Sequence, residues 1–259
     1  MTTDYFTDSG DPSPYLKRIA DAGFSHVHWC HEWDSDVLYA QADIEQIARW
    51  LREYGLRLLD LHGSAGKLKR WTSLMELERR QGVQLVMNRV EMTARLGSDV
   101  TILHAGTAQE LPALRKSLDE LAQFAGQHGV RIAIENGDFR TIQTLLDEYE
   151  RDYVGLCYDS GHGNMHPHGL SSLAALKHRL IAIHLHDNNG NDDQHRPVFS
   201  GTIDWEKLAR LLADCSYDKC VSLEVTMADT SYQNEEKFLT DAFVDGLRLT
   251  RMIERYRVS

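Results

Sequence analysis

Cysteine is scarce and scattered in this chain. Its four copies, Cys30, Cys157, Cys215 and Cys220, form no C-x-x-C pair, which argues against a disulfide framework and for a cytoplasmic setting. Long apolar runs are missing as well. None approaches the roughly 20 residues that cross a bilayer, and the opening Met1-Thr2-Thr3-Asp4-Tyr5 lacks the basic and apolar regions of a signal peptide. Positive charge is short: 28 Lys and Arg stand against 39 Asp and Glu, a net charge of −11, which disfavours a nucleic-acid partner. Ions bound in a site would add positive charge that residue counting omits. Internal repeats, low-complexity tracts and Pro/Gly/Ser linkers are also wanting, so residues 1–259 read as a single domain.

Apolar strand-like runs alternate with amphipathic helical ones throughout. A short first strand is expected near Tyr5 to Thr7, followed by Ser25–Trp29, Leu56–His62, Val100–His104, Val130–Glu135, Val154–Asp159, Ile181–His186 and Cys220–Val225. Helical patterns fall between them, several ended by a glycine such as Gly23, Gly55, Gly97 or Gly129. Eight β/α units with right-handed crossovers in about 250 residues predict a closed (β/α)8 TIM barrel. An open doubly wound sheet is the alternative, but it wants a Gly-x-Gly-x-x-Gly turn, and the sequence has none.

Histidine, with thirteen copies, is plentiful, and its placement carries the functional argument. In Ile181-Ala182-Ile183-His184-Leu185-His186 the alternation puts Ala182, His184 and His186 on one face of a strand. Two imidazoles on a buried face need partners, because bare polar groups in a core are costly. The loop that follows adds Asp193 and His195. A parallel barrel gathers the C-terminal ends of its strands on one rim. Those ends carry His62, His104, Glu135, Asp159 with His162, His184 with His186, and Glu224. Taken singly, each is more often capping or core than ligand. Six of eight strands ending in such side chains point instead to a divalent metal, zinc, manganese or magnesium, in one to three copies.

The motifs Glu135-Asn136, Asp159-Ser160-Gly161-His162, His184-Leu185-His186-Asp187, Asp193-Gln194-His195, Gly201-Thr202-Ile203-Asp204-Trp205 and Leu223-Glu224-Val225 span most of the chain. In them the chain resembles the xylose-isomerase-like TIM-barrel superfamily, which includes sugar isomerases and epimerases, inosose dehydratases and AP endonucleases of the endonuclease IV type. The resemblance implies one metal held by Glu135, Asp159, His184 and Glu224, with His186 on the same face as an alternative to His184. It implies further ions through His62, His104, His162, Asp193 and His195, with Glu135 as a bridge. It also implies an isomerase or epimerase acting on a sugar, polyol or sugar phosphate through an enediolate, with Glu135 and Glu224 as the catalytic acid and base. His186, Trp29, His31 and Trp33 would then contact the carbohydrate, and a homo-oligomer stays open. Two departures matter. The arginine of the 3-epimerases, six residues past the strand-seven histidine, is Gly190 or Asp192 here; the DNA-wedging residues of the endonucleases are Ala65 and Gly66. A multimetal zinc phosphodiesterase and a metal-dependent dehydratase remain the alternatives.

Overall fold

A computed structural model of the protein describes residues 1–228 and 230–257. Six parallel strands form its sheet: β1 (His26–Trp29), β2 (Arg57–His62), β3 (Val100–His104), β4 (Arg131–Glu135), β5 (Val154–Asp159) and β6 (Leu180–His184). Each pairs with the next in sequence, giving the order β1-β2-β3-β4-β5-β6. Around them lie α1 (Ser13–Asp21), α2 (Gln41–Glu53), α3 (Glu76–Arg95), α4 (Leu111–His128), α5 (Phe139–Glu148), α6 (Ser160–Met165), α7 (Gly169–Leu176), α8 (Trp205–Ala213) and α9 (Glu235–Arg257). Every crossover is long enough to return the chain to the same edge, which is what parallel pairing requires.

Two short staves close the curl between β6 and β1. Leu185 N–H donates to the Ser222 carbonyl at 2.9 Å, and Glu224 N–H donates to the Leu185 carbonyl at 3.1 Å. Thr2 N–H donates to the Leu223 carbonyl at 2.8 Å, and His28 N–H to the Met1 carbonyl at 3.0 Å. The fold is therefore an α/β TIM barrel. The first stave differs from the expectation: residues 1–3 pair with β1, while Tyr5 to Thr7 carry no strand. Tyr5 instead buries its ring against Tyr15 and Phe238. The eighth stave is likewise reduced to one bridge, Leu223 with Leu185.

The interior of the barrel explains where the polar residues stand. Val100, Ile102, Ala133, Cys157, Ile181 and Ala182 form a small buried apolar cluster separate from the main core between sheet and helices. Two residues beyond Ile102, Ala133, Cys157 and Ala182, on the same faces, come His104, Glu135, Asp159 and His184. Register keeps these level: His104 lies opposite Glu135, and Asp159 opposite His184. On the side of β3 to β6 an apolar layer thus lies under a polar one at the strand ends.

Candidate metal centre and active site

Ten side chains converge at that rim. Glu135, Asp159, His184 and Glu224, all buried, bring one ligand atom each within 4.8 Å of the others. His184 sits at the middle, its Nδ1 3.2 Å from Glu135 Oε1 and 3.0 Å from Glu224 Oε2. A second group forms on the other oxygen of Glu135. His62 Nε2 and His104 Nε2 each lie 3.3 Å from Glu135 Oε2 and 3.0 Å from one another. The third group centres on Asp193, whose Oδ2 is 3.1 Å from His162 Nε2 and 3.3 Å from His195 Nε2. His186 joins this edge: its Nε2 is 3.0 Å from Asp159 Oδ2 and 3.7 Å from Asp193 Oδ1, and its ring stacks on that of His195 with centroids 4.0 Å apart.

Local structure delivers these groups. Asp159 ends β5 and caps α6, where its Oδ1 accepts the His162 N–H at 2.6 Å, so one carboxylate both terminates a strand and turns the next imidazole inward. Gly161, the second residue of that helix, passes so close to His186 that a Cβ there would lie 1.9 Å from the ring. The loop bearing Asp193 and His195 is pinned from below. Asp187 Oδ2 accepts the Trp205 indole N–H at 2.7 Å and Asp187 Oδ1 the Ile203 N–H at 3.2 Å. His195 takes a left-handed φ of 46°, and its Nδ1 donates to the Glu224 carbonyl at 2.9 Å, fixing which ring nitrogen faces the site.

Electrostatics here is a contest between burial and neighbours. Burial pushes the Glu135 carboxyl up, but the imidazoles of His104, His184 and His62 outweigh it and hold that carboxyl well below the usual range. Glu224 behaves alike, with burial overcome by His184 and His28. Burial lowers His162, yet Asp159, Asp193 and Glu135 carry it up to about 11; His195, facing Asp193 and Glu224, rises to about 10. Burial also raises Asp193, but His162 and His195 bring it below its ordinary value. Carboxylates and imidazoles thus hold one another in their charged forms at this rim.

The donor set fits a divalent metal. Glu135 Oε2 and His162 Nδ1, both turned into this set, are buried without a hydrogen-bond partner, which a native core avoids. Nitrogen and carboxylate donors 3.0–3.3 Å apart match neighbouring ligands around an ion whose bonds run about 2.0–2.2 Å.

Of the aromatic residues expected to cover a sugar, one reaches the rim. Trp33 stacks on His104, centroids 5.8 Å apart at 16°, and lies 5.0 Å from the His62 ring. Trp29 and His31 do not. Trp29 follows the inward His28 on β1 and so faces outward; with His31, Tyr39 and Trp50 it lines a separate cavity of about 270 Å³ beside α2. Three interior residues escaped the sequence reading: His28, Asp60 and Cys30, buried beneath Glu224. The alternation of His26 and His28 on β1 was the available signal. Larger cavities of about 600 and 620 Å³ open at the opposite end of the barrel, around Arg57 and Arg131.

The chain resembles several known proteins. It is 29% identical to the uncharacterized protein y4fM of Sinorhizobium fredii, over 93% of this chain and 89% of that one. It is 28% identical to the uncharacterized protein MJ1311 of Methanocaldococcus jannaschii, over 59% of each chain. Among solved structures it superposes on an L-ribulose 3-epimerase with a TM-score of 0.79 at 16% identity, covering 100% of this chain and 96% of that one. A D-psicose 3-epimerase gives 0.78 at 15% identity, over 98% of both. At such identity the likeness is one of fold. Residues 16–242 match the family model described as xylose isomerase-like TIM barrel, and the chain belongs to that family.

Proposed function

We propose that the protein is a divalent-metal-dependent isomerase or epimerase of a sugar, polyol or sugar phosphate, working by proton transfer through an enediolate. The observation that carries this reading is the four-residue set of Glu135, Asp159, His184 and Glu224, buried together at the C-terminal rim of the barrel. A divalent ion held there would act as a Lewis acid, polarising a substrate carbonyl and favouring loss of the neighbouring C–H proton. The chain must then supply a base and an acid. Glu135 and Glu224 flank His184 on either carboxylate contact and are held ionised by their imidazole neighbours, which suits one to accept the proton and the other, once charged with it, to return it. The stacked Trp33 and His104 offer a flat apolar wall to a carbohydrate, and the dry layer of Ile102, Ala133 and Ala182 keeps bulk water from below.

The test is exchange. Metal-loaded protein incubated with candidate ketoses in deuterated water should wash the proton next to the carbonyl out of the substrate, and Glu135→Gln or Glu224→Gln should slow this by about 10²–10⁴-fold. Failure of every sugar and sugar phosphate to exchange would contradict the proposal. Loss of water from the exchanged substrate would convert the reading to a dehydratase.

A second reading, a multimetal phosphodiesterase of the endonuclease IV type, is favoured by one observation: Glu135 offers its two oxygens to different histidine pairs, as a bridge between ions does. Against it stand the net charge of −11 and the Ala65-Gly66 pair where a wedge into DNA is needed. Nicking of abasic-site DNA at turnover rates would establish it in place of the first.

A further inference from the structure

Glu135 and Glu224 are not equivalent. Both oxygens of Glu135 face imidazoles of the centre: Oε1 lies by His184 and His162, Oε2 by His62 and His104. Glu224 is divided. Its Oε2 faces His184 at 3.0 Å and His195 at 4.0 Å, but its Oε1 turns down toward the barrel floor. There it meets His28 Nε2 at 3.5 Å and the Cys30 thiol at 3.6 Å. His28 is held in turn: its Nδ1 is 2.7 Å from Asp60 Oδ1, and both side chains are wholly buried on adjacent strands. Cys30 Sγ lies 2.8 Å from His28 Nε2, and the Cys30 N–H donates to Thr3 Oγ1 at 2.9 Å, tying this floor to the first stave.

We infer that Asp60, His28 and Cys30 form a buried brace that positions Glu224, holding one carboxylate oxygen away from the centre so that Oε2 alone serves it. This rests on the reading of Glu224 as a ligand in the proposed function. His28 bonds Asp60 through Nδ1 and reaches Glu224 through the Cys30 thiol, which lies 2.8 Å from Nε2 and 3.6 Å from Oε1; either carboxylate left bare in the core would be costly. The ring cannot swing to the centre without abandoning Asp60, and His184 packs against its face at a centroid distance of 4.3 Å. The brace therefore limits Glu224 to one orientation, the role that outer hydrogen-bond partners play for metal-binding carboxylates.

Cobalt(II) reports on this directly, because its visible absorption depends on how its ligands are arranged. Wild-type protein, His28→Phe, His28→Gln and Asp60→Asn are titrated with cobalt(II), and their metal-free melting temperatures are recorded alongside. His28→Phe should weaken one cobalt(II) by about 10–100-fold and shift its visible band. His28→Gln, which keeps an N–H near the position of Nε2, should restore most of the affinity and the band. Should His28→Phe not fold, Asp60→Asn carries the test, with a smaller shift in the same direction because a neutral acceptor grips less firmly. Unchanged affinity and band in His28→Phe, or in Asp60→Asn where His28→Phe does not fold, would overturn the brace while leaving the metal-dependent reading intact. The brace is equally overturned if His28→Gln matches His28→Phe. Wild-type protein that takes up no cobalt(II) would overturn both.

Discussion

Replacing Gly161 by alanine tests whether the third donor group is a functional part of the centre. The new Cβ would stand 1.9 Å from His186 Cε1 and 2.6 Å from its Nδ1, whereas ordinary contact begins near 3.4 Å. The ring must retreat by about 1.5 Å, or the start of α6 must shift by a similar distance. Either movement breaks the contacts of His186 Nε2 with Asp159 at 3.0 and 3.1 Å, and loosens the stack on His195. Overpacking of a buried site of this kind costs about 1–3 kcal/mol. For a chain of this length each kcal/mol moves the melting point by roughly 2–4 °C, so Gly161→Ala should melt about 2–12 °C lower without metal. With metal, the ions held through Asp193, His195 and His186 should be lost first while those on Glu135 stay. Mass spectrometry under native conditions and a melt with and without zinc measure both. Retention of every ion at wild-type affinity, together with an unchanged melt, would refute the steric argument and the role given to His186.

Further predictions concern separate parts of the structure. Glu135→Gln should lower metal content by more than one ion per chain and Glu224→Gln by one, since Glu135 is shared by the four-residue group and the His62–His104 pair and Glu224 touches only the first of these; equal losses on elemental analysis would contradict this. Trp33→Ala should raise KM for the carbohydrate up to about tenfold with kcat little changed, as expected for loss of uniform binding; a fall in kcat at constant KM would argue against a wall. Burial raises Asp99, but the ammonium of Lys219 and the guanidinium of Arg131 outweigh it and hold that carboxyl below its ordinary value. A lowered carboxyl contributes stability that is complete above its unfolded value, near 4, and is lost as pH falls below it. Asp99→Asn should therefore melt lower than wild type at neutral pH, with the difference shrinking as pH falls below about 4; a variant that melts like wild type at neutral pH would sink the assignment.

Much of the barrel was legible because β3 to β6 carry unbroken apolar runs that end in a metal-capable residue, so the period of two and the strand end coincide. Val100–His104 and Val154–Asp159 were read to the residue. The first stave was not. Met1, Thr2 and Thr3 are too few to show a period, and the aromatic Tyr5-Phe6 beside them looked more like a strand than they did. The convergence of His62, His104 and Glu135 followed from strand ends alone, whereas His28 and Asp60 stand one layer lower, where a polar residue looks like an interruption, and Cys30 follows the end of β1. Trp29 and His31 stand apart from that rim. Nearness in sequence to the rim suggested a sugar contact, but the pleat turns Trp29 to the outer face of β1, and His31 follows it into the cavity beside α2.

Counting the metal in purified protein tests the central claim most directly. Elemental analysis after zinc or manganese loading and removal of free ions should find at least one ion per chain, lost on replacement of Asp159 or His184 by alanine. A protein that stays metal-free after loading, with Glu135, Asp159, His184 and Glu224 intact and folded, would contradict the account.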